Sequence, residues 1–242
     1  MGILGRLFGH KKKELESCTA IVAASGYSTR MGEDKVLLPL GEIPVLLRTL
    51  WVLESSPSIS EIIVVTREDL LVTVGQLCRD AGLAKTSKII VGGKTRMESV
   101  LAGLREVNPK SELVAVHDAA RPLATVEIIE ETVSMAREWG AAAPAVPVKD
   151  TIKRAVNGVV ENTLNRSELF AVQTPQVFEH GLILGALEKA AADQVELTDD
   201  CSAVELLGIP VHLTQGSYEN IKLTTPEDLA TAEAILGRRG EL

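Results

Sequence analysis

Residues 20–35 read AIVAASGYSTRMGEDK. The stretch begins as a short apolar run and breaks into a loop of small and hydroxyl residues that carries Arg30 and then Lys35. An apolar run bounded by turn residues predicts a buried strand, so the loop sets two cations directly behind that strand. Working outward, the runs EIIVV (61–65), KIIVGG (88–93) and ELVAVHDAA (112–120) alternate with the longer patterns PVLLRTLWVLESS, LLVTVGQLCRDAG, MESVLAGLREV and VEIIEETVSMAREWG. Runs such as IIVV carry apolar side chains at successive positions, as strands covered on both faces require. The alternation predicts an α/β class: a Rossmann-like, mostly parallel sheet with right-handed crossovers and helices on both faces.

After Gly140 the rhythm changes. Asn157-Gly158 lies between two alternating segments, a strong hairpin signal, and residues 148–165 read as a protruding two-stranded β-arm. So polar a hairpin buries little by itself and is expected to pack on something, with a second subunit the natural candidate. Further on, EHGLILGALEKAAAD and DDCSAVELLG read as helices, PVHLTQ as a strand, and ENIKLTTPEDLATAEAIL as a strand running into a helix. That helix start is marked by Thr225 at the cap, Pro226 at the first helical position and Asp228 in the first turn. The expected organisation is a basic, disordered tail over 1–17 followed by one domain over 18–242 that includes the arm.

The chain has 242 residues, 45% of them hydrophobic and only 3% aromatic, so the core must be aliphatic. A net charge of −8 argues against a broad nucleic-acid or anionic-membrane surface and confines any anion site to a local cluster. Cys18, Cys78 and Cys201 are odd in number and far apart, which suggests neither a disulfide framework nor a zinc site and fits a reducing cytoplasm. The opening MGILGRLFGHKKK is too short to span a bilayer, and its charges follow the apolar part where a secretory signal puts them in front. No stable membrane insertion is expected; a weak surface contact through Leu4, Leu7 and Phe8 with Lys11 to Lys13 is the alternative to a plain tail.

In an open parallel sheet, ligands bind outside the carboxyl ends of the strands. Four groups fall there: the Ser25–Lys35 loop, Gly92-Gly93 with Arg96 and Ser99, Asp118 behind its strand, and Lys222. The loop lacks both G-x-G-x-x-G and the P-loop pattern. Its small-residue turn with two cations suits a nucleoside triphosphate, or else it is a surface loop with two solvated charges. Asp118 is either a helix cap or a hard-oxygen ligand for Mg²⁺. His117, without a second histidine at ligand spacing, reads as packed or hydrogen-bonded. Lys222, in a stretch that otherwise reads as a buried strand, either points to the solvated edge or awaits an anion.

At these residues the sequence resembles the 2-C-methyl-D-erythritol 4-phosphate cytidylyltransferases of the non-mevalonate isoprenoid pathway, from Cys18 to Leu236. The carriers of the resemblance are SGYSTRMG, VGGKTRMESVLAG, VHDAARP, PVKDTIKR, LNRSELFAVQTPQVF, TDDCSAVE and ENIKLTTPEDLA. It implies that CTP is joined to methylerythritol phosphate with release of pyrophosphate. It also implies roles: Arg30, Lys35 and Lys222 catalytic, offsetting charge at the reacting phosphates. Asp118 would bind Mg²⁺ or another divalent cation at the substrates. Ala23, Ala24, Ser25, Gly26, Gly93, Ser99 and Ala119 would form the nucleotide site, Arg166 and Thr198 would grip the alcohol phosphate, and the arm would make a homodimer. Ser25, Ser28, Asp34 and Lys94 depart from residues common in the family, and Lys94 bears on nucleobase choice. The rivals are a ribitol 5-phosphate cytidylyltransferase and a non-catalytic nucleotide-binding homologue. Nucleotidyl transfer needs alignment and charge cancellation rather than a protein nucleophile, in keeping with the absence of any Ser-His-Asp or Cys-His set.

Overall fold

The computed structural model describes residues 17–26 and 34–242. The tail expected over 1–17, apart from Ser17, lies outside the described residues, as do Ser28 and Arg30. The chain runs β1 (Cys18–Ala24), the short pair β2 (Pro39–Leu40) and β3 (Ile43–Pro44), α1 (Val45–Ser55), β4 (Ile59–Thr66), α2 (Leu71–Asp80), β5 (Thr86–Val91) and α3 (Arg96–Glu106). It continues through β6 (Leu113–Asp118), α4 (Val126–Trp139), β7 (Ala141–Pro147) and the arm strands β8 (Lys153–Val156) and β9 (Val159–Thr163). The last elements are β10 (Phe170–Val172), β11 (Gln176–Glu179), α5 (His180–Ala192), α6 (Asp200–Glu205), β12 (His212–Gln215) and α7 (Pro226–Arg239).

β1 lies between β6 and β4, with β5 outside β4, and all these pairs are parallel. Alternation along each strand splits the core into two layers. Ala20, Val22, Ile62 and Val64 face Leu50 of α1, Val74 of α2 and Ile129 of α4. Ile21, Ile63 and Val65 face Val100 and Leu104 of α3, Ile183 of α5 and Val204 of α6. Because both faces are covered, the strands read as continuous apolar runs. A third, smaller cluster joins Leu40, Ala120, Leu123 and Leu223 to Ala232, Ile235 and Leu236 of α7.

The sheet departs from the expected mainly parallel pattern at its far side. β11 runs antiparallel between β6 and β7, β10 runs antiparallel on β7, and β12 pairs with β7 in parallel. β7 has no counterpart in the sequence reading because Pro144 and Pro147 argue against an interior strand. Pro144 faces the break between β10 and β11, where its carbonyl accepts the Gln173 N–H at 2.8 Å and no ladder bond is required of its nitrogen. The arm is shorter than 148–165, with Asn157 at φ 50 and Gly158 at φ 78, the positive values a tight hairpin turn demands.

The segment carrying Lys222 is a second correction. It is not a strand: residues 221–224 carry no ladder before α7 begins, and the backbone bond from Leu223 N–H to the Ala120 carbonyl at 2.8 Å ties the segment to the body. Leu223 is buried, which supplied the apolar signal without any ladder. The start of α7 is as expected, with Asp228 accepting the Thr224 and Thr225 N–H groups at 2.7 and 2.8 Å.

α3 lies unusually close to the sheet. A Cβ on Gly103 would stand 2.7 Å from Ile21 Cγ2 and 3.1 Å from Val65 Cγ2. Gly103→Val should therefore cost about 2 kcal/mol of unfolding free energy through overpacking, read by urea denaturation. A melt indistinguishable from wild type would show that α3 moves away freely.

Candidate active site at the carboxyl rim of the sheet

The cleft is built where β1, β5 and β6 end. Ala23, Ala24, Ser25 and Gly26 line it together with Lys35, Val36, Gly93, Lys94, Thr95, Arg96, Asp118, Ala120 and Lys222. Segments nearly two hundred residues apart in sequence therefore meet at one rim. Beneath the lining, the buried Ser99 hydroxyl accepts from Ser25 Oγ at 2.8 Å and from the Gly93 N–H at 3.1 Å, and donates to the Thr95 carbonyl at 2.9 Å. Gly92 is required at this crossing, since a Cβ there would stand 2.7 Å from Ser99 Oγ and 2.9 Å from Ser25 Cβ. Thr95 caps α3 in a reciprocal arrangement with Glu98, whose carboxylate also accepts the Lys94 N–H at 2.6 Å. The loop Gly92–Thr95 is thus held by its own helix start.

Asp118 ends β6, only 7% exposed, and its carboxylate is the charge around which the rim gathers. Lys222 Nζ lies 2.8 Å from it, and the Arg96 and Arg121 guanidinium groups lie at 3.6 Å. Burial alone would raise its pKa; Lys222, then Arg96 and Arg121, outweigh that and hold it well below the usual carboxylate range. Arg121 Nη1 donates to the Asn220 carbonyl at 2.7 Å, which fixes the strandless segment that presents Lys222. Lys222 is 40% exposed at its side chain, so it stands at the solvated edge with its ammonium on Asp118. The Asp118 N–H donates to Thr174 Oγ1 at 3.1 Å, and the same hydroxyl lies 3.0 Å from His117 Nδ1. His117 is fully buried, a packed and hydrogen-bonded residue.

The other expected residues are placed as follows. Ala119 is buried and contributes its N–H to the Ala23 carbonyl at 3.1 Å, behind the lining. Arg166 sits on a one-turn helix near the arm, exposed, with Nη1 on the Lys149 carbonyl at 2.8 Å, and is not part of the cleft lining. Thr198 is exposed just before α6, its hydroxyl 3.0 Å from Ser202 Oγ, and is likewise outside the lining. Lys35 is on the lining, and the neighbouring Asp34 accepts from Arg67 at 2.6 Å. Sequence reasoning assigned no role to Asp200, which is 1% exposed and meets Arg96 at 2.7 Å, or to Arg121 and Thr174. The doubled aspartate of TDDCSAVE held a signal: Asp199 caps α6 through the Ser202 N–H at 3.0 Å, which leaves its neighbour free for other work.

A divalent cation is testable against the donor set. Among the described residues no group of three His, Cys, Asp or Glu gathers to hold a metal, and Asp118 is the one carboxylate on the cleft lining. A single carboxylate fits only an ion of the Mg²⁺ kind that takes most of its oxygens from substrate phosphates and water, and Lys222, Arg96 and Arg121 already meet that carboxylate. It does not fit a metal held by the protein alone.

A family model described as 2-C-methyl-D-erythritol 4-phosphate cytidylyltransferase matches residues 18–238. Curated proteins of that name are similar over nearly the whole chain. The one from Clostridium novyi is 46% identical over 221 residues, covering 90% of this chain and 95% of its own length. That from Halalkalibacterium halodurans is 44% identical, covering 91% and 97%. Among solved structures, 4-diphosphocytidyl-2C-methyl-D-erythritol synthase from Anaerococcus prevotii superposes with a TM-score of 0.83 at 32% identity, covering 93% of this chain and 100% of that one.

Burial pushes the His117 imidazole down from 6.5 to about 4. The unfolded chain therefore binds a proton there that the folded chain refuses, and the stability is complete above about pH 6.5 and lost as pH falls toward 4, on the order of 3 kcal/mol. His117→Gln, measured by denaturant unfolding in the presence of EDTA, should show an acid loss smaller by about that amount. An acid limb identical to wild type would contradict the assignment.

Proposed function

The chain belongs to the 2-C-methyl-D-erythritol 4-phosphate cytidylyltransferase family and joins CTP to that phosphate, giving 4-diphosphocytidyl-2-C-methyl-D-erythritol and pyrophosphate, and we propose that the rim around Asp118 is where it does so. The observation that carries the placement is the convergence of Lys35, Lys222 and Asp118 on one cleft whose floor is glycine and serine backbone. That combination suits a polyanion seated on N–H groups and flanked by fixed positive charge.

In the reaction a phosphate oxygen of the sugar alcohol attacks the α-phosphorus of CTP, forming one O–P bond while the bond to the pyrophosphate leaving group breaks. That oxygen is largely ionised at neutral pH, so no protein base is needed. Lys35 and Lys222, with Arg30 from the loop beyond the described residues, offset the charge spread over the phosphorus oxygens. The Lys222 ammonium is already oriented by Asp118, so little reorganisation accompanies the step. Ala23, Ala24, Ser25, Gly26 and Gly93 seat the nucleotide, with Ser99 and Ala119 shaping that floor from behind. Asp118 would hold Mg²⁺ or a similar divalent ion, which when bound supplies further neutralisation at the triphosphate. Arg166 and Thr198 grip the phosphate of the alcohol.

The wider setting is part of the same reading. Residues 18–242 form one catalytic domain, and the arm makes a homodimer. Val156, Val159 and Val160 of the arm and Phe170 and Val172 of β10 are exposed, and two strands alone have no core of their own. No described helix is long and apolar enough to cross a membrane, and the three cysteines are free and buried; both accord with a cytoplasmic enzyme.

Pyrophosphate release with Mg²⁺, using CTP, UTP or ATP against methylerythritol phosphate or ribitol phosphate, tests this reading. CTP with methylerythritol phosphate should be strongly preferred. Lys35→Ala and Lys222→Ala should each lower turnover by ~10²-fold or more with unchanged circular dichroism; wild-type rates in both would remove the charge-stabilising role. Arg166→Ala should instead raise the KM for the alcohol phosphate, and an effect confined to CTP would refute its placement.

A further inference from the structure

α6 is only six residues long, yet its start is fastened to the body in two directions. Gln176, at the head of β11, accepts the Asp200 and Cys201 N–H groups at 3.0 and 3.1 Å and donates to Asp199 at 2.7 Å. From the other side Arg96, the first residue of α3, reaches the buried Asp200 carboxylate at 2.7 Å while its guanidinium also faces Asp118 at 3.6 Å. A surface helix cap needs none of this. Asp199 already caps α6 through Ser202, and the Ser202 hydroxyl meets Thr198. The buried charge of Asp200 is therefore superfluous to the helix, and an unpaired carboxylate there would be costly. Its partner comes from the first turn of α3, directly after the Gly92–Thr95 loop.

We propose that the Arg96–Asp200 pair is a positioning strut that sets the Thr198 segment at a fixed distance from the nucleotide floor, so that the alcohol phosphate is presented in line with the α-phosphorus. Arg96 lines the cleft, but its charge is shared between two carboxylates, so it acts through them rather than as one more phosphate clamp. Both contacts run through Arg96 Nη2, and a lysine ammonium on its flexible stem lacks the rigid planar group that carries this nitrogen between the two acids. The inference rests on the reading of Thr198 as part of the alcohol-phosphate subsite.

The test is steady-state kinetics with both substrates varied, alongside calorimetric CTP binding without the alcohol phosphate, for Asp200→Asn, Arg96→Lys and Thr198→Val in the full-length enzyme. Asp200→Asn and Arg96→Lys should each raise the KM for methylerythritol phosphate by roughly tenfold, the scale of a lost positioning contact, while the CTP dissociation constant is not weakened more than about twofold. A loss of merely structural origin would weaken both substrates together, and that result overturns the strut. Should Asp200→Asn fail to fold, Arg96→Lys carries the same comparison. If Thr198→Val raises the alcohol-phosphate KM and both strut variants leave it unchanged, the strut alone is refuted. If Thr198→Val leaves it unchanged, the subsite reading falls and the strut with it.

Discussion

A carboxylate buried at the end of a central strand is the constraint on which the rim depends. Asp118 has almost no contact with water, so its charge has to be met by protein. The cations that meet it come from three places: Arg96 at the start of α3, Arg121 three residues after Asp118 itself, and Lys222 from the segment before α7. Each of these brings its own backbone with it. The same attraction that makes the carboxylate tolerable therefore assembles the walls of the cleft, and leaves Arg96, Arg121 and Lys222 facing the two buried acids Asp118 and Asp200.

The hydrogen-bonded floor complements this electrostatic wall. Ser25, Gly93 and Thr95 all bond to one hydroxyl, that of Ser99, so the end of β1 and the start of α3 cannot drift apart independently. On the other flank, Thr174 holds the Asp118 backbone and touches His117. Charge positions the side chains and hydroxyls position the main chain. The two sets of contacts are separable in kind, although they meet at the same residues.

Much of this was legible in the chain. Unbroken aliphatic runs announced strands covered on both faces, and Asn157-Gly158 announced its turn. Local rules carry no information about which acid ends up buried, so Asp200 passed unnoticed beside the capping Asp199. Lys222 was placed at the right edge by the wrong element, because the apolar signal of Leu223 arises from docking into a side cluster and not from a ladder. β7 was hidden by Pro144, whose tolerance depends on a gap between two other strands that no local pattern reveals. The rim residues themselves were visible as types; the ion pairs that fix their angles are properties of the folded arrangement alone.

The small cluster under α7 gives the final helix an influence out of proportion to its distance from the cleft. Leu40 follows the Lys35 segment, Ala120 follows Asp118 and Leu223 follows Lys222, and all three press on Ala232, Ile235 and Leu236. The helix works as a hub onto which three spokes of the cleft wall are keyed. Trimming Ile235 or Leu236 would accordingly disturb the cleft wall from behind, although neither side chain lines the cleft.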